Sequence, residues 1–198
     1  SKVIAEQSAN LIHTSNIYRI PLQEKLAEKL VSHSGMDNVF FCNSGAEANE
    51  AAIKLARLHA YKQKITNPVI LVMHNSFHGR TMATISATGS STKAYQGFEP
   101  LLSGFKHIAF NDIEALKSSV NTIENIVAIM LEPIQGEGGI VIPNKNYLKT
   151  IRSICDKNNL LMIVDEVQTG MCRTGKWFAF QHEKILPDIM TIAKALGN

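Results

Sequence analysis

Five short apolar runs in this 198-residue sequence are each followed at once by side chains able to do chemistry. After the run at 39–42 comes Asn43-Ser44-Gly45-Ala46-Glu47. Ser44 with Glu47 three residues on is a capping box that opens a helix. Gly45 and Ala46 are small enough to leave their N–H groups open to a phosphate, although the same residues also make an ordinary well-capped helix. After the run at 69–73 comes His74-Asn75-Ser76-Phe77-His78-Gly79-Arg80. Phe77 can stack on a flat ring and Arg80 can fork onto a carboxylate, and a polar loop with one buried Phe reads equally well. The run at 126–131 leads into Glu132-Pro133-Ile134-Gln135-Gly136-Glu137-Gly138-Gly139, two carboxylates in a glycine-shaped loop or two solvated acids. The run at 160–164 ends on Asp165, followed by Glu166-Val167-Gln168. An acid closing a buried apolar strand is costly unless it is paired or hydrogen-bonded. Asp165 could therefore hold a protonated ring nitrogen, or cap its own loop through backbone N–H groups. After 189–192 comes Ala193-Lys194-Ala195-Leu196. A lysine among small apolar residues at a strand end is either a desolvated, reactive amine or a surface lysine.

Other chemistries are excluded by what is missing. His74, His78, His107 and His182 lack paired ligand spacing, and neither HExxH nor CxxC occurs, so no metal site is expected. Ser44 is not in a GxSxG elbow, which argues against acyl transfer. No GxGxxG or Walker A sequence follows a strand, which argues against dinucleotide and P-loop enzymes. Twenty Lys and Arg against seventeen Asp and Glu leave +3, too small a surplus to imply nucleic acid or an anionic membrane. No window approaches eighteen uncharged apolar residues, and the N-terminus has neither a signal h-region nor an Arg-rich transit pattern. Cys42, Cys155 and Cys172 are too sparse for a disulfide framework and fit a reducing compartment, so a cytoplasmic location is expected.

The elements that must position these residues follow from hydrophobic periodicity. Helical spacing is read at 1–13 and at 22–33, with Pro21 placed to start the second helix and Gly35 to stop it. Further helices are expected at 44–64, with apolar positions 48, 51, 52, 55 and 56, and at 113–119 and 147–158. Strands are expected at 39–42, 69–73, 108–110, 126–131, 160–164 and 189–192. Most of these runs are continuous rather than alternating, as in strands buried on both faces. The expected fold is α/β, a mostly parallel sheet with helices on both faces, and ligands in such sheets bind outside the carboxyl ends of the strands.

A helix-start phosphate cradle, a stacking ring, a buried acid and an amine are together what pyridoxal phosphate needs, with its Schiff-base lysine and its acid for the pyridinium nitrogen. The stretches FFCNSGAEANEAAIKLAR, FHGRTMATISATG, EPIQGEGG, DEVQTGMCRTGKWFA and PDIMTIAKALGN, in this order and spacing, resemble the class III aminotransferases of pyridoxal-phosphate fold type I along nearly the whole chain. The resemblance implies a catalytic Lys194 that carries the cofactor and shuttles the proton, and Asp165 on the pyridine nitrogen. It implies Gln168 on the ring hydroxyl, Phe77 and Val167 sandwiching the ring, and Ser44, Gly45 and Ala46 on the phosphate. Arg80 would take the substrate's carboxylate, and Glu137 would gate the second substrate with an Arg from a C-terminal domain. The implied reaction is ping-pong transamination from an ω-amino donor to 2-oxoglutarate. The stretch HTSNIYRIPLQEKLAEKL points to N-acetylornithine as donor, within arginine biosynthesis. Ornithine, 4-aminobutyrate and succinyldiaminopimelate are the alternatives, as is a non-catalytic fragment.

Residues 1–35 are expected to be a helical lead-in and 36–198 an incomplete cofactor-binding large domain, cut before its last strand. The whole enzyme would be a longer homodimer whose partner subunit lends a Thr to the phosphate. Met171-Cys172 departs from the two small residues, one a Gly, usual in the family, and a local loop change is expected there.

Overall fold

A computed structural model describes residues 1–89 and 95–197. The chain divides into two compact units, Ser1–Phe40 and Phe41–Asn198. The first holds α1 (Lys2–Asn10) and α2 (Pro21–Ser34). Pro21 starts α2, where its missing N–H removes nothing from the helix, and Gly35 ends it in the left-handed region at φ 78°. α1 has no buried residue, and within α2 only Leu30 and Ser34 are buried.

The second unit runs α3 (Gly45–Lys62), β1 (Val69–Met73), α4 (Met82–Ala87), β2 (Phe105–Ile108), α5 (Ile113–Thr122), β3 (Ile126–Leu131), α6 (Tyr147–Asn158), β4 (Leu161–Asp165) and β5 (Ile189–Thr191). The five strands form one sheet in the order β2-β1-β3-β4-β5, and every pairing is parallel. The continuous apolar runs are explained by two cores. Leu71, Met73, Ile129, Leu131, Met162 and Val164 face Leu116 of α5 and Leu148, Ile151 and Cys155 of α6. Their neighbours Ile70, Val72, Ala128, Met130 and Ile163 face Ala52, Ile53, Ala56 and Ala60 of α3 and Ala83 and Ala87 of α4. Because side chains alternate along a strand, a sheet covered on both sides needs apolar residues at every position.

Three expectations are corrected. Residues 39–42 form no strand, and Phe40 is 74% exposed, so that apolar run is not a buried sheet element. β2 lies at Phe105–Ile108 rather than 108–110. It is an edge strand with Lys106 exposed between partly buried Phe105 and His107, so its signal alternates and is weaker. α3 buries Asn49, Ala52, Ile53, Ala56 and Ala60. The helix is thus rotated from the expected face, and Leu55 is exposed. No helix among the described residues is long and apolar enough to cross a membrane.

Met171 and Cys172 both adopt positive φ, 57° and 68°. The left-handed region costs a non-glycine residue about 1–2 kcal/mol, so the departure from a glycine-containing pair carries strain. Met171 packs against the core, whereas Cys172 is exposed. Cys172→Gly therefore removes strain without opening a cavity. It is expected to raise the unfolding free energy by up to about 1 kcal/mol in urea denaturation; a loss of stability would contradict this.

Candidate active site

The carboxyl ends of the strands gather the candidate residues on one edge of the sheet. Strand connections diverge there between β1 and β3, the kind of crevice in which doubly wound sheets bind ligands. Asp165 is the last residue of β4 and is 4% exposed. Three donors meet its carboxylate. Asn49 Nδ2 and His78 Nδ1 both lie 2.8 Å from Oδ2, and the Val167 N–H donates to Oδ1 at 3.0 Å. An ionised carboxylate only accepts, so His78 carries its proton on Nδ1. Asp165 therefore does cap its own loop, and it is also held by side chains from two distant elements. The other ring nitrogen of His78, Nε2, is buried with no hydrogen-bond partner among the described residues.

The start of α3 lies against this acid's loop. Ser44 Oγ accepts from Glu47 N at 3.2 Å, as the capping box requires, while Glu47 reaches back to the N–H of Asn43 rather than of Ser44. Gly45 is where close approach matters. A Cβ on it would lie 2.8 Å from Cγ1 of Val167 and 3.4 Å from Cβ of Ala193. Only a residue without a side chain lets the helix start settle onto both the β4 loop and the residue preceding Lys194. Ser44, Gly45, Ala46, Val167 and Lys194 are thereby drawn into one neighbourhood.

The other two loops are tied in by buried acids. Glu132, at the end of β3 and 5% exposed, accepts from Phe77 N at 3.1 Å and from Gly136 N at 3.3 Å. Burial pushes its carboxyl above the usual range. Gly136 packs so closely on Gln168 that a Cβ would lie 2.2 Å from Oε1. The loop of Phe77 thus meets the EPIQGEGG loop, which in turn meets Gln168. Arg80, Glu137 and Gln168 are exposed and Phe77 is partly buried. Lys194 is exposed as well, not enclosed among apolar residues. It takes φ 44° as it opens a short 3-10 turn. A non-glycine residue in that region carries strain of a kind that gathers at functional sites.

Pattern reading passed over Asn49, which donates to Asp165, and Thr191, whose hydroxyl donates to Asn49 Oδ1 at 2.7 Å, and His78 is tied more directly to Asp165 than its loop position indicates. Asn49 had a signal: a polar residue on the buried face of α3, in helical register with Ala52, Ile53 and Ala56. Thr191 is hidden inside an apolar run, where its hydroxyl reads as a β-branched strand former.

The fold and these motifs are those of the class III aminotransferases. The model of the family described as "Aminotransferase class-III" matches residues 1–198, and the chain belongs to that family, whose enzymes depend on pyridoxal phosphate. Among curated relatives it is 57% identical over 197 residues to the acetylornithine aminotransferase of Nitrosomonas europaea, covering 100% of this chain and 50% of that protein. Among solved structures, the ornithine aminotransferase of Toxoplasma gondii matches with a TM-score of 0.93 at 35% identity, over 98% of this chain and 47% of that one. The N-acetylornithine aminotransferase of Stenotrophomonas maltophilia matches with a TM-score of 0.83 at 39% identity, over 99% and 48%. The chain spans about half the length of the relatives it matches.

Glu166, beside Asp165, is 1% exposed; its side chain accepts from Thr169 Oγ1 and from Phe180 N at 2.9 Å. Burial raises its carboxyl above the ordinary value. A raised acid contributes its full stability below the unfolded-state value, and that contribution falls as pH climbs through the folded-state value. Glu166→Gln keeps an acceptor for Phe180 and removes the ionisation. The variant is expected to lose less stability than the parent between about pH 4.5 and neutrality in urea denaturation. Parallel pH curves would contradict this.

Proposed function

We propose that this chain forms the cofactor-binding part of a pyridoxal-phosphate-dependent transaminase. Residues 36–198 supply the incomplete large domain and residues 1–35 its helical lead-in. The carrying observation is the close approach of Gly45 to Val167 and Ala193, which brings the start of α3 against the loop that follows Asp165 and the residue that precedes Lys194.

The donor set fits the cofactor. A carboxylate offers about four acceptor positions, and three of those on Asp165 are filled, which leaves room for one further proton donor. Asp165 would keep a proton on the pyridine nitrogen. The hydroxyl of Ser44 is free to donate while it caps α3, so Ser44 with the N–H groups of Gly45 and Ala46 would hold the phosphate at the positive end of the helix. Phe77 and Val167 would hold the ring between them, and Gln168 would reach its hydroxyl. When bound, pyridoxal phosphate supplies a conjugated cationic ring that withdraws electrons from the carbon bearing the amine.

The remaining chemistry belongs to the chain. Lys194 Nζ would hold the cofactor covalently until the substrate's amine displaces it; the freed lysine amine would then accept a proton from the substrate's amine-bearing carbon and later return one. Arg80, exposed at the mouth, would clamp the substrate's carboxylate, and Glu137 would switch partners between the two half-reactions. The donor is N-acetylornithine and the acceptor 2-oxoglutarate, giving the semialdehyde and glutamate in arginine biosynthesis. This choice is supported by 57% identity to a curated acetylornithine aminotransferase; among the solved structures the identities are 39% to an N-acetylornithine aminotransferase and 35% to an ornithine aminotransferase. The working enzyme is a cytoplasmic homodimer.

In the whole enzyme loaded with pyridoxal phosphate, borohydride treatment followed by peptide mapping is expected to leave the cofactor on Lys194. Lys194→Ala is expected to lose turnover, and Asp165→Asn to lower kcat by at least about 100-fold. Label on a different lysine, or normal turnover in Lys194→Ala, would contradict the reading.

A further inference from the structure

Asn49 is 2% exposed on the buried face of α3, where an apolar residue would pack without needing partners. Its amide is used at both ends. Nδ2 donates to Asp165 Oδ2 at 2.8 Å and to the His78 carbonyl at 2.7 Å, while Oδ1 accepts from Thr191 Oγ1 at 2.7 Å. The Asp165 carboxylate and the His78 carbonyl only accept, so both call for Nδ2, which leaves Oδ1 to accept from the Thr191 hydroxyl. Thr191 is the last residue of β5 and stands in register with Asp165, and its carbonyl accepts from Glu166 N at 2.9 Å. Lys194 follows three residues later. One side chain thus joins the strand that ends in the acid, the loop that holds Phe77 and Arg80, and the strand that leads to the lysine.

We propose that Asn49, anchored at Oδ1 by Thr191, is a positioning residue that sets the Asp165 carboxylate against the strand delivering Lys194. This rests on the transaminase reading above. Asn49 touches no reacting atom. It acts by fixing where the acid's oxygens point, and small misplacements of a catalytic group lower rates steeply. Asn49→Ala removes a donor from a buried carboxylate and leaves the Thr191 hydroxyl without its acceptor. Thr191→Val removes the donor to Oδ1 and so loosens the amide that holds the acid, and Thr191→Ser keeps the hydroxyl.

The test uses the whole enzyme loaded with pyridoxal phosphate. Four quantities are read: kcat, KM, the pH titration of the bound cofactor's visible absorption, and the cofactor dissociation constant by fluorescence. Thermal unfolding of the cofactor-free protein is the control. Asn49→Ala is expected to lower kcat roughly 10–100-fold with KM within about twofold, and to shift the absorption titration. Thr191→Val is expected to move both in the same direction, and Thr191→Ser to restore them. Thr191→Val carries the test should Asn49→Ala not fold. Wild-type kcat and absorption titration in the folded variants, or changes confined to thermal unfolding, overturn the proposal. A Lys194→Ala control separates the two claims. Turnover in that variant overturns the transaminase reading, whereas its inactivity beside an unaltered Asn49→Ala overturns only the positioning role.

Discussion

A carboxylate at the inner end of a buried strand must be met by donors, and the arrangement of this sheet edge follows from meeting that requirement at Asp165. The donors come from α3, from the loop after β1, and from the acid's own loop. None is near it in sequence except Val167. They converge because β1, β3, β4 and β5 are parallel and deliver their carboxyl ends to the same edge. The helix that brings Asn49 has a face of small residues, Ala52, Ala56 and Ala60, so it can close onto the sheet. Gly45 completes the approach at the helix start.

Two further buried acids brace the same edge. Glu132 joins the Phe77 loop to the loop at Gly136, and Glu166 joins its own turn to Phe180. Buried carboxyls are poor contributors to stability, since each must be desolvated before it bonds. Their value here lies in direction: each accepts from specific N–H or O–H groups, and so fixes one loop against another more sharply than apolar contact would. The residues that would touch substrate, Arg80 and Glu137, remain exposed on loops held at their bases.

Much of this was legible in the sequence because burial on both faces leaves an unambiguous mark. The runs at 69–73 and 126–131 coincide with β1 and β3, and 147–158 coincides with α6. The parallel sheet between two helical layers and the gathering of Asp165 and Lys194 at one edge follow from the same pattern. What escaped has physical causes. The run at 39–42 is apolar without being a strand, since it lies outside the sheet it mimics. α4 is six residues long and opens with threonine and methionine, too short for a periodic signal. The Asn49–Thr191–Asp165 contacts span more than a hundred residues, and local pattern carries no information on such pairings. The resemblance to a family supplied roles for Ser44, Gln168 and Arg80 that spacing alone left open.

The central claim is that Asp165 holds a proton on the cofactor's ring nitrogen, and nuclear magnetic resonance reads that proton directly. The whole enzyme would be loaded with pyridoxal phosphate carrying 15N in the ring, and the 15N shift followed with pH. If Asp165 acts as argued, the shift stays at the protonated value from about pH 6 to 9 in the parent and moves to the unprotonated value in Asp165→Asn. A ring nitrogen that is unprotonated in the parent, or that behaves identically in both proteins, would contradict it.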